Sequence, residues 1–465
     1  MRNPRPISKA FAVAAAGALG LAGCSAVDET PSSPTADGGS DSPSEPADGG
    51  DTGDGDGEAA GEGTVGDGIT AEPCPDAVNE DNGCIYLGIL SDLTEGPFAA
   101  LAVPIVDGQR AYWQKVNEDG GIAGYDVDID TYTRDTKYQA AEHAQAYQQI
   151  EPNILALAQT LGTVNTEAIL PDMDAADIIG VPASWWSGYS FEENDFGLIL
   201  ENGYSYCSEA ITGLDWFTEN HAKPESIAAV GYPGDYGGDS AAGVQKWADA
   251  NGVSDVAVIP TGPNQVTGNQ DAVVSAVAAA NPDVVFLAVG PAENAEIVGK
   301  LAAGGYQGRF MGSLPTWNPA LLQSAAAPAL TAMYNHISPG EQWAGESEGI
   351  KAMKESLNNE PPVNAGYIIG WLMSYPMHAV LDQAVENGDL TRAGVRAAVK
   401  ETDVDYQGMS TNQTYNGDGK DIAVHTIIVN TPDESDPLGT VPEGSFYTGP
   451  TWDQVDFSAA CVASS

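Results

Sequence analysis

Asp235 and Tyr236 are the side chains best placed by their neighbours to hold a small molecule. They lie in the loop Gly231-Tyr232-Pro233-Gly234-Asp235-Tyr236-Gly237-Gly238, where glycines permit positive φ and the proline sets a turn. The apolar run Ile227-Ala228-Ala229-Val230 precedes the loop and reads as a buried strand. Asp239 or Ser240 then caps a helix whose buried side carries Val244 and Trp247. A strand, a loop open to close approach and a helix start with free N–H groups make a place where α/β sheets bind ligands. The same pattern without a ligand is a tight βα turn. Covalent chemistry finds less support. The chain has no His-Glu-x-x-His and no lysine-bearing phosphate loop. Its five histidines, His143, His221, His336, His378 and His425, do not cluster, and none stands near a cysteine, so neither a metal nor another cofactor is expected.

Loops of the same kind recur along the chain. Residues 91–98, 159–163, 183–187, 232–237, 290–293 and 314–317 each follow an apolar run and are rich in hydroxyls, glycines and aromatics. Hydroxyl and backbone donors suit an anion such as a carboxylate, and aromatics suit an apolar body. Trp185, Trp186 and Trp317 suit core packing equally well. Strands are expected at 85–90, 127–132, 154–157 and 178–183, alternating with helices around 106–116, 140–150 and 166–176. A helix at 208–220 opens a second series, with strands at 227–230, 256–259, 283–289 and 310–312. Long helices at 345–358 and 365–387 and a late strand at 422–429 follow. This alternation predicts an α/β fold of two doubly wound parallel-sheet lobes with right-handed crossovers and a cleft between them.

The N-terminus is a different material. Arg2, Arg5 and Lys9 precede an apolar run over 10–22, too short for a membrane span, which closes on Leu21-Ala22-Gly23-Cys24. Small residues before a cysteine resemble the bacterial lipobox, which implies cleavage of residues 1–23 and lipid on Cys24. Residues 24–72 are expected to form a disordered acidic tether, since the stretch after Cys24 is mostly Gly, Asp, Glu, Ser, Pro and Thr with no aromatic, Lys or Arg. Its rms reach is roughly 40 Å. Over the whole chain 17 Lys and Arg face 66 Asp and Glu, a formal net charge of −49. Such a chain repels nucleic acid and anionic surfaces. Cys74, Cys84, Cys207 and Cys461 remain, an even number in an exported chain, and permit three disulfide pairings. Cys74 and Cys84 flank a polar turn and pair most simply with each other, which leaves Cys207 with Cys461.

The stretch 87–97, Leu-Gly-Ile-Leu-Ser-Asp-Leu-Thr-Glu-Gly-Pro, resembles the opening strand and loop of the type I periplasmic binding proteins, the leucine/isoleucine/valine-binding receptors of ABC importers. Val106-Asp107-Gly108-Gln109-Arg110-Ala111, Asp119-Gly120-Gly121-Ile122, Asn281-Pro282-Asp283-Val284-Val285-Phe286 and Gly304-Gly305-Tyr306 are similar to the same family, so the resemblance spans about 84–430. It implies two lobes joined by three crossovers, near 202, 335 and 421. Lobe one would be 73–202 and 336–420, and lobe two 203–335 and 421–465. Cys207 and Cys461 would then share lobe two. It implies further that Leu161, Gly162, Thr163, Ala183, Ser184 and Trp185 hold the ligand from lobe one, and that Tyr236, with Asp235, Pro291 and Trp317, closes from lobe two. Family members that bind amino acids hold the ammonium with an acid after the strand ending here at Ser313, where this chain has Pro315-Thr316-Trp317. Asp235 or Glu293 substitutes, or the ligand lacks an amine. Phe98 or Leu101 occupies the aromatic position of the first loop. The implied function is an extracytoplasmic, lipid-anchored receptor that delivers a branched-chain or other amino acid, amide or small acid to ABC permease subunits in the membrane. A sensor of the same fold is the alternative. Gly238-Asp239-Ser240-Ala241 resembles the GDS block of lipase-like hydrolases, but that block needs a late Asp-x-x-His, and Asp421…His425 is one residue too long.

The anchor is directly testable. Cys24→Ala should move the protein from the membrane fraction to the soluble fraction. Retention of the variant in the membrane, with no lipid detected by mass on the wild-type N-terminus, contradicts the lipobox reading.

Overall fold

The apolar run after Asn82 becomes the strand Gly83–Ser91, buried along its length except at Tyr86. It is covered on both faces, so it shows no polar alternation. In the computed structural model, which describes residues 64–463, this strand centres a six-stranded sheet. Tyr125–Asp128 and Thr133–Asp135 pair with it in parallel on one side, and Ala156–Leu161 followed by Gly180–Ala183 on the other. The helices Ala99–Glu118 and Gly366–Glu386 cross at contact distance. A Cβ on Gly370 would lie 1.9 Å from the Ile105 carbonyl oxygen, and one on Gly108 2.1 Å from that of Tyr367, so only glycine fits at either position.

The second sheet has eight strands. Asp255–Pro260, Ser226–Gly231, Val284–Ala288, Arg309–Gly312 and Tyr334–Ser338 run parallel in that spatial order. Thr426–Pro432, Thr440–Pro442 and Tyr447–Thr448 complete it antiparallel. The all-parallel expectation therefore fails at this edge, where the chain re-enters from the opposite end after visiting the first lobe. All described residues lie in the one unit Glu58–Ser465.

Three local expectations need correction. The expected helix at 166–176 is two short ones, Thr163–Glu167 and Leu170–Ala175, because Pro171 favours a fresh helix start. The tether does not extend to residue 72: Thr64–Val65 pairs with Asp389–Leu390, and Ile69–Thr70 with the first sheet. Each pairing is only two residues long, with Val65 and Ile69 as single apolar residues in a polar stretch, so composition did not reveal it. Cys24 and the remainder of the tether lie outside the described residues. Finally, a lobe boundary at 335/336 falls inside Tyr334–Ser338, which stays with the second sheet; the crossing comes after Ser338.

Three chain segments run side by side where the lobes join. Tyr204 bridges to Val424 and Gly340 to Ser410. The Gly203 N–H donates to Gln413 Oε1 at 3.1 Å, and Ser410 Oγ to the Pro339 carbonyl at 2.7 Å. Disulfides join Cys74 to Cys84 and Cys207 to Cys461. Asp239 gathers both lobes. It accepts from the Ser187 N–H at 3.0 Å, from Ser187 Oγ at 2.6 Å and from the Cys207 N–H at 3.1 Å. Ser187 Oγ in turn accepts from the Cys461 N–H at 2.8 Å.

Four buried acids surround this junction. Burial pushes Asp195 and Asp239 up to about 7, and Glu201 and Glu209 up to about 8. Each is then neutral in the fold at a pH where the unfolded chain ionises it. The folded state binds more protons between roughly pH 4 and pH 8, so stability falls as pH rises through that window. The melting temperature should drop between pH 5 and pH 8. Glu201→Gln, whose amide oxygen still accepts from Ser190, should flatten the slope. A melting temperature that rises over this range, or a variant with the wild-type slope, would refute the burial argument.

Candidate functional site

The parallel strands of both sheets end toward one half-open space of about 770 Å³. Its lining comes from the loops that follow those strands, the edge where α/β sheets bind ligands. Seven of the residues expected from sequence line it: Leu161, Gly162, Ala183, Ser184, Trp185, Asp235 and Tyr236. Gly162 has φ +91°, and a Cβ there would sit 2.6 Å from the Tyr138 ring, so a side chain is excluded twice over. Trp185 is held by its indole N–H, which donates to the Asn202 carbonyl at 3.1 Å and Oδ1 at 3.2 Å. Ser184 Oγ lies 3.3 Å from the Tyr189 hydroxyl.

Three expected residues lie elsewhere. Thr163 does not line the space; it is wholly buried behind it, and its Oγ1 has no hydrogen-bond partner, though it sits close enough to Asp235 to favour that carboxylate. Trp317 stacks on Tyr334 at 5.8 Å and donates its N–H to the Leu438 carbonyl at 2.9 Å, which makes it largely a core residue. Trp317 and Pro291 face a smaller neighbouring chamber instead. Glu293 is not free to take an ammonium. Its Oε2 accepts from the Tyr232 hydroxyl at 2.9 Å and its Oε1 from the Asn264 N–H at 2.7 Å.

Sequence reasoning passed over several aromatics. Tyr206 edges Trp185 at 6.1 Å and tilts on Tyr236 at 4.7 Å, and Tyr232 meets Tyr236 edge-on at 5.9 Å. Across the space Phe98 packs on Tyr138 at 4.8 Å. Tyr206 was hidden by the expectation of a helix starting at Ser208. The helix starts at Tyr206, capped by the Ser205/Ser208 box, and so delivers the ring from its first turn. Tyr138 sits at φ +57° just after Thr133–Asp135, a left-handed turn that composition does not announce.

Electrostatically the space is spare. Among its lining residues there is no Lys, Arg or His, and Asp235 is the single carboxylate. Burial raises the Asp235 carboxyl, opposed by Thr163 and by the N–H groups at the start of its own helix, Asp235–Asn251. Burial, with the Asp235 charge, also raises Tyr138 and Tyr206, which stay neutral hydroxyls. The hydrolase block does not assemble. Asp239 is engaged by Ser187 and Cys207, Ser240 Oγ is buried without a partner, and His425 stacks on Trp452. Among the described residues no group of His, Cys, Asp and Glu is arranged to hold a metal, and no helix is long and apolar enough to cross a membrane.

Tyr236 offers the space its ring, because its hydroxyl lies 2.6 Å from Ser313 Oγ inside lobe two. Tyr236→Phe should therefore cost about 1 kcal/mol of stability and leave ligand affinity within about twofold, whereas Tyr236→Ala should weaken both. Urea unfolding and calorimetry check this; a Phe variant that loses affinity without losing stability would place the hydroxyl in the binding surface.

Comparison with known proteins agrees with the fold. No curated protein sequence matches the chain. Solved structures of the same fold include a fatty acid ABC transporter substrate-binding protein from Thermomonospora curvata, 23% identical, with 85% of this chain and 98% of that one covered and a TM-score of 0.75. A branched-chain amino acid ABC transporter protein from Thermus thermophilus with bound valine is 17% identical over 80% and 98%, TM-score 0.67. An R. palustris solute-binding protein in complex with 4-hydroxybenzoate is 13% identical over 80% and 99%, TM-score 0.64. The family model for periplasmic binding proteins matches residues 85–431, which takes in strands of both sheets and the crossings between them, and the chain belongs to that family.

Proposed function

We propose that this protein is the extracytoplasmic substrate-binding component of an ABC importer, anchored by lipid on Cys24, and that it captures between its lobes a ligand with an apolar body larger than a free amino acid. The carrying observation is the half-open cleft of about 770 Å³, lined largely by aromatic and aliphatic side chains, with one carboxylate and no basic group. That volume lies within the range of sites for drug-sized ligands, and an amino acid fills a fraction of it. Solved proteins of the same fold include a fatty acid transporter component and complexes with valine and with 4-hydroxybenzoate, so the fold is compatible with each class of body. Leu161, Gly162, Ala183, Ser184 and Trp185 form the fixed half of the site. Tyr236 and Asp235 complete it from lobe two, and membrane permease subunits read the closed form. The polar group of the ligand is met by hydroxyls, by Asn165 and by Asp235.

Binding to the folded state alone raises stability by about 2.7 kcal/mol when ligand is at a hundred times its dissociation constant. Melting scans with decanoate, decanol, decylamine, 4-hydroxybenzoate, phenylalanine and valine should show a larger shift for at least one ten-carbon compound than for valine. Scattering should report a more compact particle with the same compound. Valine giving the largest shift would restore the amino acid reading, and no shift with any of them would remove the support for a large apolar ligand.

A further inference from the structure

A second chamber of about 240 Å³ lies beside the main space. The two share six lining residues, Pro97, Phe98, Leu101, Tyr232, Pro263 and Pro315, so one layer of side chains separates them. The two aromatic members of that layer are held differently. Tyr232 is fixed: its hydroxyl donates to Glu293 Oε2 at 2.9 Å and accepts from the Gly290 N–H at 2.8 Å. Phe98 is tied by its backbone, whose N–H donates to Asp92 Oδ2 at 2.9 Å, while its half-buried ring rests on Tyr138 and has no polar anchor. Packing alone sets its rotamer, so an apolar occupant can displace it. Beyond the layer, Pro291, Ala292 and Trp317 line the chamber, and its one carboxylate, Glu293, has both oxygens engaged by Tyr232 and Asn264. The chamber therefore offers an apolar surface and no unpaired charge.

We infer that the two chambers are one two-part site for an unbranched amphiphile. The polar end lies in the main space near Asp235 and Ser184. The hydrocarbon tail passes Phe98 and ends in the second chamber against Pro291 and Trp317, which makes that chamber the element that selects tail length. This inference rests on the proposed receptor function and adds to it the class of ligand.

The test uses two homologous series, n-alkylamines and n-alkanoates, from hexyl to octadecyl, titrated by calorimetry into the wild type, Ala292→Trp and Ala100→Trp. Both alanines line the second chamber from exposed positions on different helices, so the bulky side chain fills the chamber without entering a core. In at least one series the wild-type affinity should rise roughly fourfold per methylene until the tail fills both chambers. Each variant should level off several carbons earlier and keep the hexyl affinity within about twofold, with an unchanged melting temperature. The same limiting length in all three proteins would show that the tail does not enter the second chamber, and would overturn the inference while leaving the receptor function intact. Binding of 4-hydroxybenzoate or phenylalanine with no binding of either series would likewise overturn the linear-ligand class alone. Silence toward every compound would remove the receptor proposal as well.

Discussion

The buried Asp239 carboxyl is the interaction on which the rest of the arrangement depends. It stands at the meeting of a lobe-one loop and a lobe-two helix, and accepts from Ser187 on one side and Cys207 on the other. The disulfide from Cys207 to Cys461 and the Cys461 N–H to Ser187 Oγ close the same node. Asp239 lies one helical turn beyond Asp235, and Ser187 three residues beyond Ser184, so the node holds two of the polar contributors to the main space on short arms. A group this deeply buried is costly to ionise. The fold avoids that cost by holding Asp239 protonated up to about pH 7 where it fixes one lobe against the other, and it surrounds the junction with three more acids under the same constraint.

The two lobes meet their tasks with different materials. The first supplies glycine, small residues and Trp185 at its strand ends, with Phe98 and Tyr138 as outlying rings. The second supplies Tyr206, Tyr232 and Tyr236, whose edge-on and tilted contacts form a continuous aromatic wall. Their hydroxyls are largely satisfied within the protein, through Glu293 for Tyr232 and Ser313 for Tyr236. With the Tyr232 and Tyr236 hydroxyls turned into the protein, their rings leave apolar surface toward the cleft, whose lining carries a single carboxylate in a chain with 66 acidic residues.

Much of this was legible from residue types and spacing. The apolar runs and glycine-bearing loops announced both series of strands, and the loops after them, Leu161-Gly162, Ala183-Ser184-Trp185 and Asp235-Tyr236, do line the space. These are local signals, set by periodicity and by residues that only a turn tolerates. Thr163 and Trp317 were misplaced for a shared reason. A loop position says which element precedes a residue but not which side of the backbone the side chain takes, and here one is buried behind the space and the other packs into the lobe-two core.

The sequence by itself determined the α/β alternation, the two series of strands and the loops that meet at their ends, because backbone conformation and burial pattern are read from neighbours in the chain. Only the tertiary structure decided the antiparallel edge of the second sheet, the Asp239 node, the aromatic wall and the second chamber. Each of these joins residues far apart in sequence, such as Asp239 with Ser187, Tyr232 with Glu293, or Tyr206 with Tyr236. Whether such a pair touches depends on how two sheets and three crossings pack together, and no local pattern carries that information.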